Sequence, residues 1–483
     1  MRLIYSIALV YFSTLSLFGD RPPNIILILT DDLGYSDLSC YGNTEYSTPN
    51  IDRMAMEGQK WTEFYAASHI CSPSRAAILT GLYPVRTGTS SHVFFEWSAE
   101  GLPQDSQTIS KVLQGNGYKT LLVGKWHLGH KEGYLPTDQG FDSFYGIPYS
   151  NDMRVDPEMK VADNVYFREG MTLSKMRTKG NKVNHWVPLM QDDAIIEYPV
   201  DQTTLTQRYT EKSIKLIQEN KEQPFFLFLS HHLPHIPIFV SEPFKNKHHN
   251  NPYANAVSEI DFSVGEILKA LKEKGLDKNT LVIFTSDNGP NQTFEPKGGS
   301  AFPLKGSKCF ATEGGQKVPG IFWWPDTIKR GSINGLGSTL DFFNTFISIS
   351  GINEPSLFAQ DSYDLSSVLF KKSISPRPDF FYFSSFVPPR SLIYAVRKGD
   401  WKAHFYTSLA PDFSKPESII KNTIPLLYNL KKDPEESQNL AEQFPNIVQS
   451  LLQYTESFSQ TLEITPNRYS KKISSQERPE WAQ

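Results

Sequence analysis

The sequence predicts an α/β protein: a large, mostly parallel sheet flanked by helices, followed by a smaller C-terminal α+β domain with an antiparallel sheet. Three observations carry this expectation. Four short apolar runs each empty into polar, chemistry-bearing residues, the pattern of strands buried on both faces. Helix-like stretches lie between these runs, and such alternation builds a doubly wound sheet. After about Phe370 the texture shifts to Pro- and aromatic-rich segments with alternating apolar positions, which suit antiparallel strands.

Along the chain, Arg2 supplies a short positive region, Leu3 to Phe18 an apolar stretch and Gly19 a small residue, so residues 1–19 read as a secretory signal peptide. The stretch is broken by Ser6, Ser13, Thr14 and Ser16 and falls short of the about 18 residues of a bilayer span. No later stretch is long and apolar enough, so no stable membrane span is expected. Export to the periplasm or outside the cell, or to the lysosome in a eukaryotic host, is the expected fate.

The large sheet is expected over residues 20–372, with strands at Asn24 to Thr30, Tyr118 to Val123, Pro224 to Ser230 and Leu281 to Ser286. Thr108 to Leu113, Leu205 to Glu219 and Asn255 to Lys274 read as helices. Residues 373–483 form the expected smaller domain, with strands at Leu392 to Val396 and Trp401 to Thr407 and a last helix at Ala441 to Phe458. The polar end from Asn467 is expected to be loosely ordered.

Composition narrows the function. Lys and Arg number 48 against 52 Asp and Glu, a balance that excludes a nucleic-acid binder working by bulk positive charge. With 39% hydrophobic and 21% charged residues, the chain is globular rather than disordered or fibrous. Three cysteines, Cys40, Cys71 and Cys309, cannot make a disulfide framework, and the odd count leaves at least one unpaired. Pairing of Cys40 with Cys309 stays open.

The strand ends matter most. The first run leads into Asp31-Asp32, the second into Gly124-Lys125-Trp126-His127, the third into His231-His232-Leu233-Pro234-His235 and the fourth into Asp287-Asn288-Gly289. In open α/β sheets the ligand site lies outside the carboxyl ends of the strands, so four segments would deliver acids, bases and cations to one edge. A further segment, Cys71-Ser72-Pro73-Ser74-Arg75 followed by Leu79-Thr80-Gly81, places a cysteine just before a helix, where free N–H groups attract anions. Arg75 adds a planar cation that can grip an oxyanion. Taken alone, a buried structural cysteine at an ordinary helix start fits this segment equally well.

This segment resembles the signature of the type I sulfatases, C-x-P-S-R followed by L-T-G, and every position of it is present. The resemblance implies an alkaline-phosphatase-like fold and hydrolysis of an organic sulfate monoester to alcohol and inorganic sulfate. It further implies that a formylglycine-generating maturation enzyme oxidises Cys71 to formylglycine (3-oxoalanine), whose hydrate attacks sulfur, a form of covalent catalysis. Asp31, Asp32, Asp287 and Asn288, together with the residue at Cys71, match the family's metal site. Hard oxygen ligands suit calcium, with magnesium as the alternative.

By the same resemblance Lys125 binds a sulfate oxygen, His127 contacts the formylglycine hydroxyls, and His235, in the H-x-P element, protonates the leaving oxygen. His231 and His232 are read as structural. Lys308, five residues before Glu313-Gly314-Gly315, bridges sulfate and leaving oxygen, with Lys305 as its competitor; Cys309 stands where the family has glycine. Arg75 completes the clamp. The likeness runs from about Pro23 to Leu440, through Gly140-Phe141-Asp142, Gly146 to Asp152, Lys402 to Phe405 and Leu426 to Leu430, and points to the arylsulfatase branch. There Ser150 and His404 lie near the substrate. The expected partner is a sulfated glycan or small molecule, chosen by loops such as Arg154 to Tyr198. Two other readings remain open at this point: a phosphate or phosphonate monoester hydrolase on the same scaffold, and a sulfated-glycan binding protein without turnover.

Overall fold

The long apolar runs become the middle of an eleven-stranded sheet. In a computed structural model the chain is described over residues 21–178, 183–292, 298–353, 358–384, 392–408 and 419–469. In chain order the strands of this sheet are β1 (Asn24–Thr30), β2 (Gln59–Tyr65), β3 (Lys119–Gly124), β4 (Ser143–Gly146), β5 (Val161–Phe167) and β6 (Leu189–Gln191). They continue with β7 (Ala194–Tyr198), β8 (Phe225–Ser230), β9 (Thr280–Ser286), β10 (Gly320–Trp323) and β11 (Gly331–Ser338). Their order across the sheet is β11-β2-β10-β9-β1-β8-β3-β4-β6-β7-β5.

The five strands β9-β1-β8-β3-β4 run parallel, with Leu27 of β1 opposite Phe228 of β8 and Ile283 of β9. Every residue of β1, β8 and β9 is buried, because helices cover both faces; this is why those runs are continuously apolar rather than alternating. Their ends are stitched together by backbone bonds from Asp31 N to Leu233 O (3.1 Å), Lys125 N to Ser230 O (2.8 Å) and Asp287 N to Thr30 O (3.1 Å). The polar residues after four strands therefore meet at one edge.

Boundaries moved by a few residues, for local reasons. Pro224 lacks an N–H and stays outside β8, where its carbonyl accepts from Lys119 N (2.9 Å). The helix expected from Asn255 begins at Pro252, with the Asn251 side chain accepting from Ala254 N, and ends at Glu273. Thr108 caps its helix, Ile109–Gly115, by accepting from Lys111 N. The last helix starts at Pro445 rather than Ala441 and runs to Thr461, proline being suited to a first helical position. The Arg154 to Tyr198 segment, read as loop, holds the mostly buried β6 and β7 and the edge strand β5, whose mixed polar sequence reflects half-exposed pairing.

The C-terminal sheet is antiparallel and sequential: β12 (Asp379–Phe383), β13 (Ile393–Lys398), β14 (Trp401–Ser408) and β15 (Ile419–Asn429). The helix Pro445–Thr461 covers it, with Phe458 stacked on Phe381 at 3.8 Å between ring centroids. A second core gathers Phe380, Tyr382 and Leu427 of this sheet with Tyr65, Ala77 and Tyr83 of the preceding chain. The segment from Asn467 to Tyr469 is tied down where a loose end was expected, with Tyr469 buried and its hydroxyl donating to Thr89 O at 2.8 Å; residues 470–483 lie outside the described residues. So does the proposed signal peptide. Among the described residues no helix is long and apolar enough to cross a membrane. Cys40, Cys71 and Cys309 are each unpaired.

Candidate active site

Cys71 opens the ten-residue helix Cys71–Thr80, with Ile70 as the extended residue before it. It is thus the first helical residue rather than the one preceding the helix. Every residue of this helix is buried, and the Cys71 Sγ donates to Asp31 Oδ1 at 3.3 Å. Burial, then the Asp31 carboxylate, pushes the Cys71 thiol well above its ordinary range. Four residues on, and so on the same helix face, Arg75 pairs with Asp287 Oδ2 through Nε (3.0 Å) and the terminal nitrogen Nη2 (2.9 Å). Its other terminal nitrogen donates to Lys125 O (2.9 Å) and Ser230 Oγ (2.7 Å). Burial works against the guanidinium, but Asp287 and Asp31 outweigh it and raise its pKa.

Asp31, Asp32, Cys71 and Asp287 each offer a ligand atom, all within 4.8 Å of one another and all buried. Burial disfavours their charge, yet Lys125 leads the cations that hold Asp31 well below the carboxylate range. Asp287 is instead pushed up to about 7, by burial and then by Asp31. Asn288 donates its amide to Asp32 Oδ1 at 2.7 Å, while its own carbonyl oxygen, Oδ1, is buried without a hydrogen-bond partner. An orphaned carbonyl beside three carboxylates is costly unless a cation takes it. The donor set therefore fits a hard divalent metal.

Three basic side chains, two lysines and a histidine, face this acid cluster. Lys125 pairs with Asp31 and lies 3.2 Å from Ser150 Oγ. Lys308 pairs with Asp32 Oδ2 at 2.7 Å; burial opposes its charge, but Asp32 dominates and raises it. His235 Nε2 lies 3.7 Å from the same oxygen, and burial, then Lys308, lowers its pKa. His127 is 1% exposed, and neither ring nitrogen has a hydrogen-bond partner; burial, then Lys125, lowers its pKa well below the ordinary value. Asp32 and His127 both hold φ of +66°, a conformation rare outside glycine that clusters at functional sites.

Local sequence explains how these groups are aimed. A Cβ at Gly124, between β3 and Lys125, would lie 1.8 Å from Ser230 O, so only glycine lets β3 and β8 close before the lysine. Lys308 is set by its backbone N–H, which donates to Pro290 O at 2.9 Å just beyond the Asp287-Asn288 pair. Cys309 keeps the left-handed backbone, φ +77°, that favours glycine, and donates its N–H to His69 O at 3.0 Å. Lys305 points elsewhere, donating to Glu436 O at 3.3 Å.

The structure brings together Asp31, Asp32, Cys71, Arg75, Lys125, His235, Asp287, Asn288 and Lys308 through these contacts, with Ser150 reached through Lys125 and His127 through the main chain. His231 lies beside Ser263 (3.4 Å) and His232 against the Tyr209 ring (5.8 Å), buried beneath the site. His404 is tied differently: its Nε2 lies 2.5 Å from Glu436 Oε1 in the C-terminal sheet. Sequence reasoning missed Ser230, which holds Arg75, and Ser72, whose hydroxyl donates to His127 O at 2.7 Å. A serine carries no signal of such a role until its partner's position is known.

Comparison with known proteins places this arrangement. A family model described as Sulfatase matches residues 23–352, and one described as C-terminal region of aryl-sulfatase matches residues 375–483. The chain is 36% identical to arylsulfatase A of Homo sapiens over 449 residues, covering 90% of this chain and 87% of that protein. It is 35% identical to N-acetylgalactosamine-6-sulfatase of Rattus norvegicus over 453 residues, covering 86% and 81%. The crystal structure of a sulfatase from Pseudoalteromonas sp. superposes with a TM-score of 0.77 at 29% identity, covering 93% of this chain and 91% of that one.

Proposed function

The chain belongs to the sulfatase family and is a sulfuric ester hydrolase, and from that premise we propose how its own residues carry out the reaction and on what class of substrate. Asp31, Asp32, Asp287 and Asn288, beside Cys71, hold a divalent cation, calcium in the first instance and magnesium as the alternative. Oxidised by a formylglycine-generating maturation enzyme, the residue at Cys71 would supply an aldehyde hydrate as the nucleophile for sulfur, set between Arg75, Lys125 and Lys308.

The observation that carries this reading is the charge balance around Cys71. Arg75, Lys125 and Lys308 offset Asp31, Asp32 and Asp287 in one buried cluster. Three basic side chains meet three carboxyls there, and a divalent ion held among the carboxyls would add the positive charge that suits a sulfuryl group. The raised thiol of Cys71 also makes the unmodified side chain a poor nucleophile at neutral pH. Lys125 and Lys308 grip sulfate oxygens, and Ser150 lies where it can touch the substrate. His127, with both ring nitrogens unpartnered, is free to accept a proton and would serve the residue at position 71 in that way. His235 delivers a proton to the leaving oxygen. The buried walls keep bulk water from competing for these donors.

A sulfated carbohydrate is the proposed substrate, supported by the 35% identity to N-acetylgalactosamine-6-sulfatase, with aryl sulfates as surrogates. Residues 1–19 direct export, the sheet to about residue 372 forms the catalytic domain and residues 373–483 a smaller one. His404, bonded to Glu436, is proposed with Ser150 on the substrate side. The test is ion chromatography of sulfate and phosphate released from sulfated sugars, an aryl sulfate and an aryl phosphate. The protein is co-expressed with a formylglycine-generating enzyme, and mass spectrometry follows residue 71. Sulfate release by the wild type and none by Cys71→Ala is expected; dominant phosphate release, or full activity in Cys71→Ala, overturns the reading.

A further inference from the structure

The loop that carries Lys308 is fastened from outside the large sheet. Glu436 lies in the turn after β15, with its side chain fully buried and its backbone at φ +52°, a conformation that costs energy for a residue with a Cβ. Asp433 braces the turn, accepting from Ser437 N at 2.9 Å and Gln438 N at 2.8 Å. One carboxylate oxygen of Glu436, Oε1, lies 2.9 Å from Lys402 Nζ and 2.5 Å from His404 Nε2, both on β14. The other, Oε2, accepts from the backbone N–H of Glu313 at 3.2 Å. The Glu436 carbonyl accepts from Lys305 Nζ at 3.3 Å. Both ends of the Lys305 to Glu313 loop are thus held by one residue.

Inside that loop there is no slack. Gly314 N donates to Lys305 O at 2.8 Å, and a Cβ at Gly314 would lie 2.1 Å from Gly306 O. Glu313 itself is anchored by Tyr65 and Tyr382 hydroxyls, each at 2.5 Å, and by Lys402 at 2.9 Å. A shift of Glu313 is therefore carried to Lys308, five residues away in a loop closed on itself. Burial opposes the charge on Glu436, but Lys402 and then His404 hold its carboxyl well below the ordinary range.

We propose that Glu436 is a positioning residue for sulfate ester hydrolysis: held by Lys402 and His404 of the C-terminal sheet, it clamps the Lys305 to Glu313 loop so that the Lys308 ammonium meets Asp32 and the sulfuryl group. The C-terminal sheet then contributes to turnover through Lys308. The inference rests on the role of Lys308 given above. It also gives the contact of His404 with Glu436 a role.

The experiment is a double-mutant cycle in steady-state kinetics with an aryl sulfate and an alkyl sulfate, using matured full-length protein. Lys308→Ala is expected to lower kcat about 10²–10³-fold, the usual loss for one preorganised donor. Glu436→Ala is expected to lower kcat about 10-fold or more with a smaller change in KM, and to cost under about 3-fold in the Lys308→Ala background, because residues acting through one another do not add. The isosteric Glu436→Gln is run through the same cycle, so that a folding defect of the alanine variant leaves the idea testable. Losses that multiply in both cycles overturn the inference while wild-type turnover upholds the functional reading. Wild-type protein that is converted at residue 71 and releases no sulfate from any ester sinks both.

Discussion

Replacing Arg75 by methionine keeps the length of the side chain and removes its charge, and the structure says how much this costs. Counting bonds suggests a large figure: four contacts to charged or polar partners at about 1.5–3 kcal/mol each would approach roughly 6–12 kcal/mol. The partners say otherwise. Lys125 O still accepts from Ser230 Oγ at 2.8 Å, and Asp287 Oδ1 still accepts from Asp32 N at 3.2 Å. Only Asp287 Oδ2 loses both its donors, so the cost is that of one buried charge left alone, about 3–5 kcal/mol. The assay is equilibrium urea unfolding of the protein in chelator, so that no divalent ion compensates Asp287, read by fluorescence of the buried Trp61, Trp126, Trp323 and Trp324. Arg75→Met/Asp287→Asn is expected to recover most of the loss, because removing both members of a buried pair is close to neutral. A loss under about 1 kcal/mol, the size seen for exposed pairs, or a double variant no better than the single, would refute the reasoning.

Two other outcomes follow from the same geometry. His235→Ala is expected to lower kcat about 10²–10⁴-fold on an alkyl sulfate, the range for a lost general acid, and far less on 4-nitrophenyl sulfate, whose leaving group needs no proton; equal losses on both would remove His235 from that role. Glu96 is buried and its carboxyl is pushed up to about 7, by burial first. Its folded pKa lies above its unfolded value, so its contribution to stability is fully present below about pH 4.5 and is lost as pH rises through about 7. This amounts to roughly 3 kcal/mol across that window, and Glu96→Gln should flatten the corresponding slope in urea midpoints measured from pH 4.5 to 7.5; an unchanged slope would place the titration elsewhere.

The sequence by itself determined the central strands and what stands at their ends. Ile25 to Leu29 is apolar at every position, as a strand covered on both faces requires, and Thr30 leads directly into Asp31-Asp32; such local signals survive in one dimension because neighbours in sequence write them. The Cys71 to Arg75 segment likewise marked a helix start, although the structure makes Cys71 the first helical residue rather than the one preceding the helix. The edge strand β5 was hidden because half-exposed pairing leaves a mixed sequence that no local pattern separates from a loop, and β6 and β7 because they are only 3 and 5 residues long. The choice of Lys308 over Lys305, the partner of His404 and the hold of Glu436 on Glu313 were decided only by the tertiary structure. These contacts join residues from 32 to 276 positions apart, and nothing in either local stretch records which distant group the fold brings beside it. Burial then gives such pairs their weight, since a carboxylate and an ammonium that attract weakly in water become costly to separate where water is excluded.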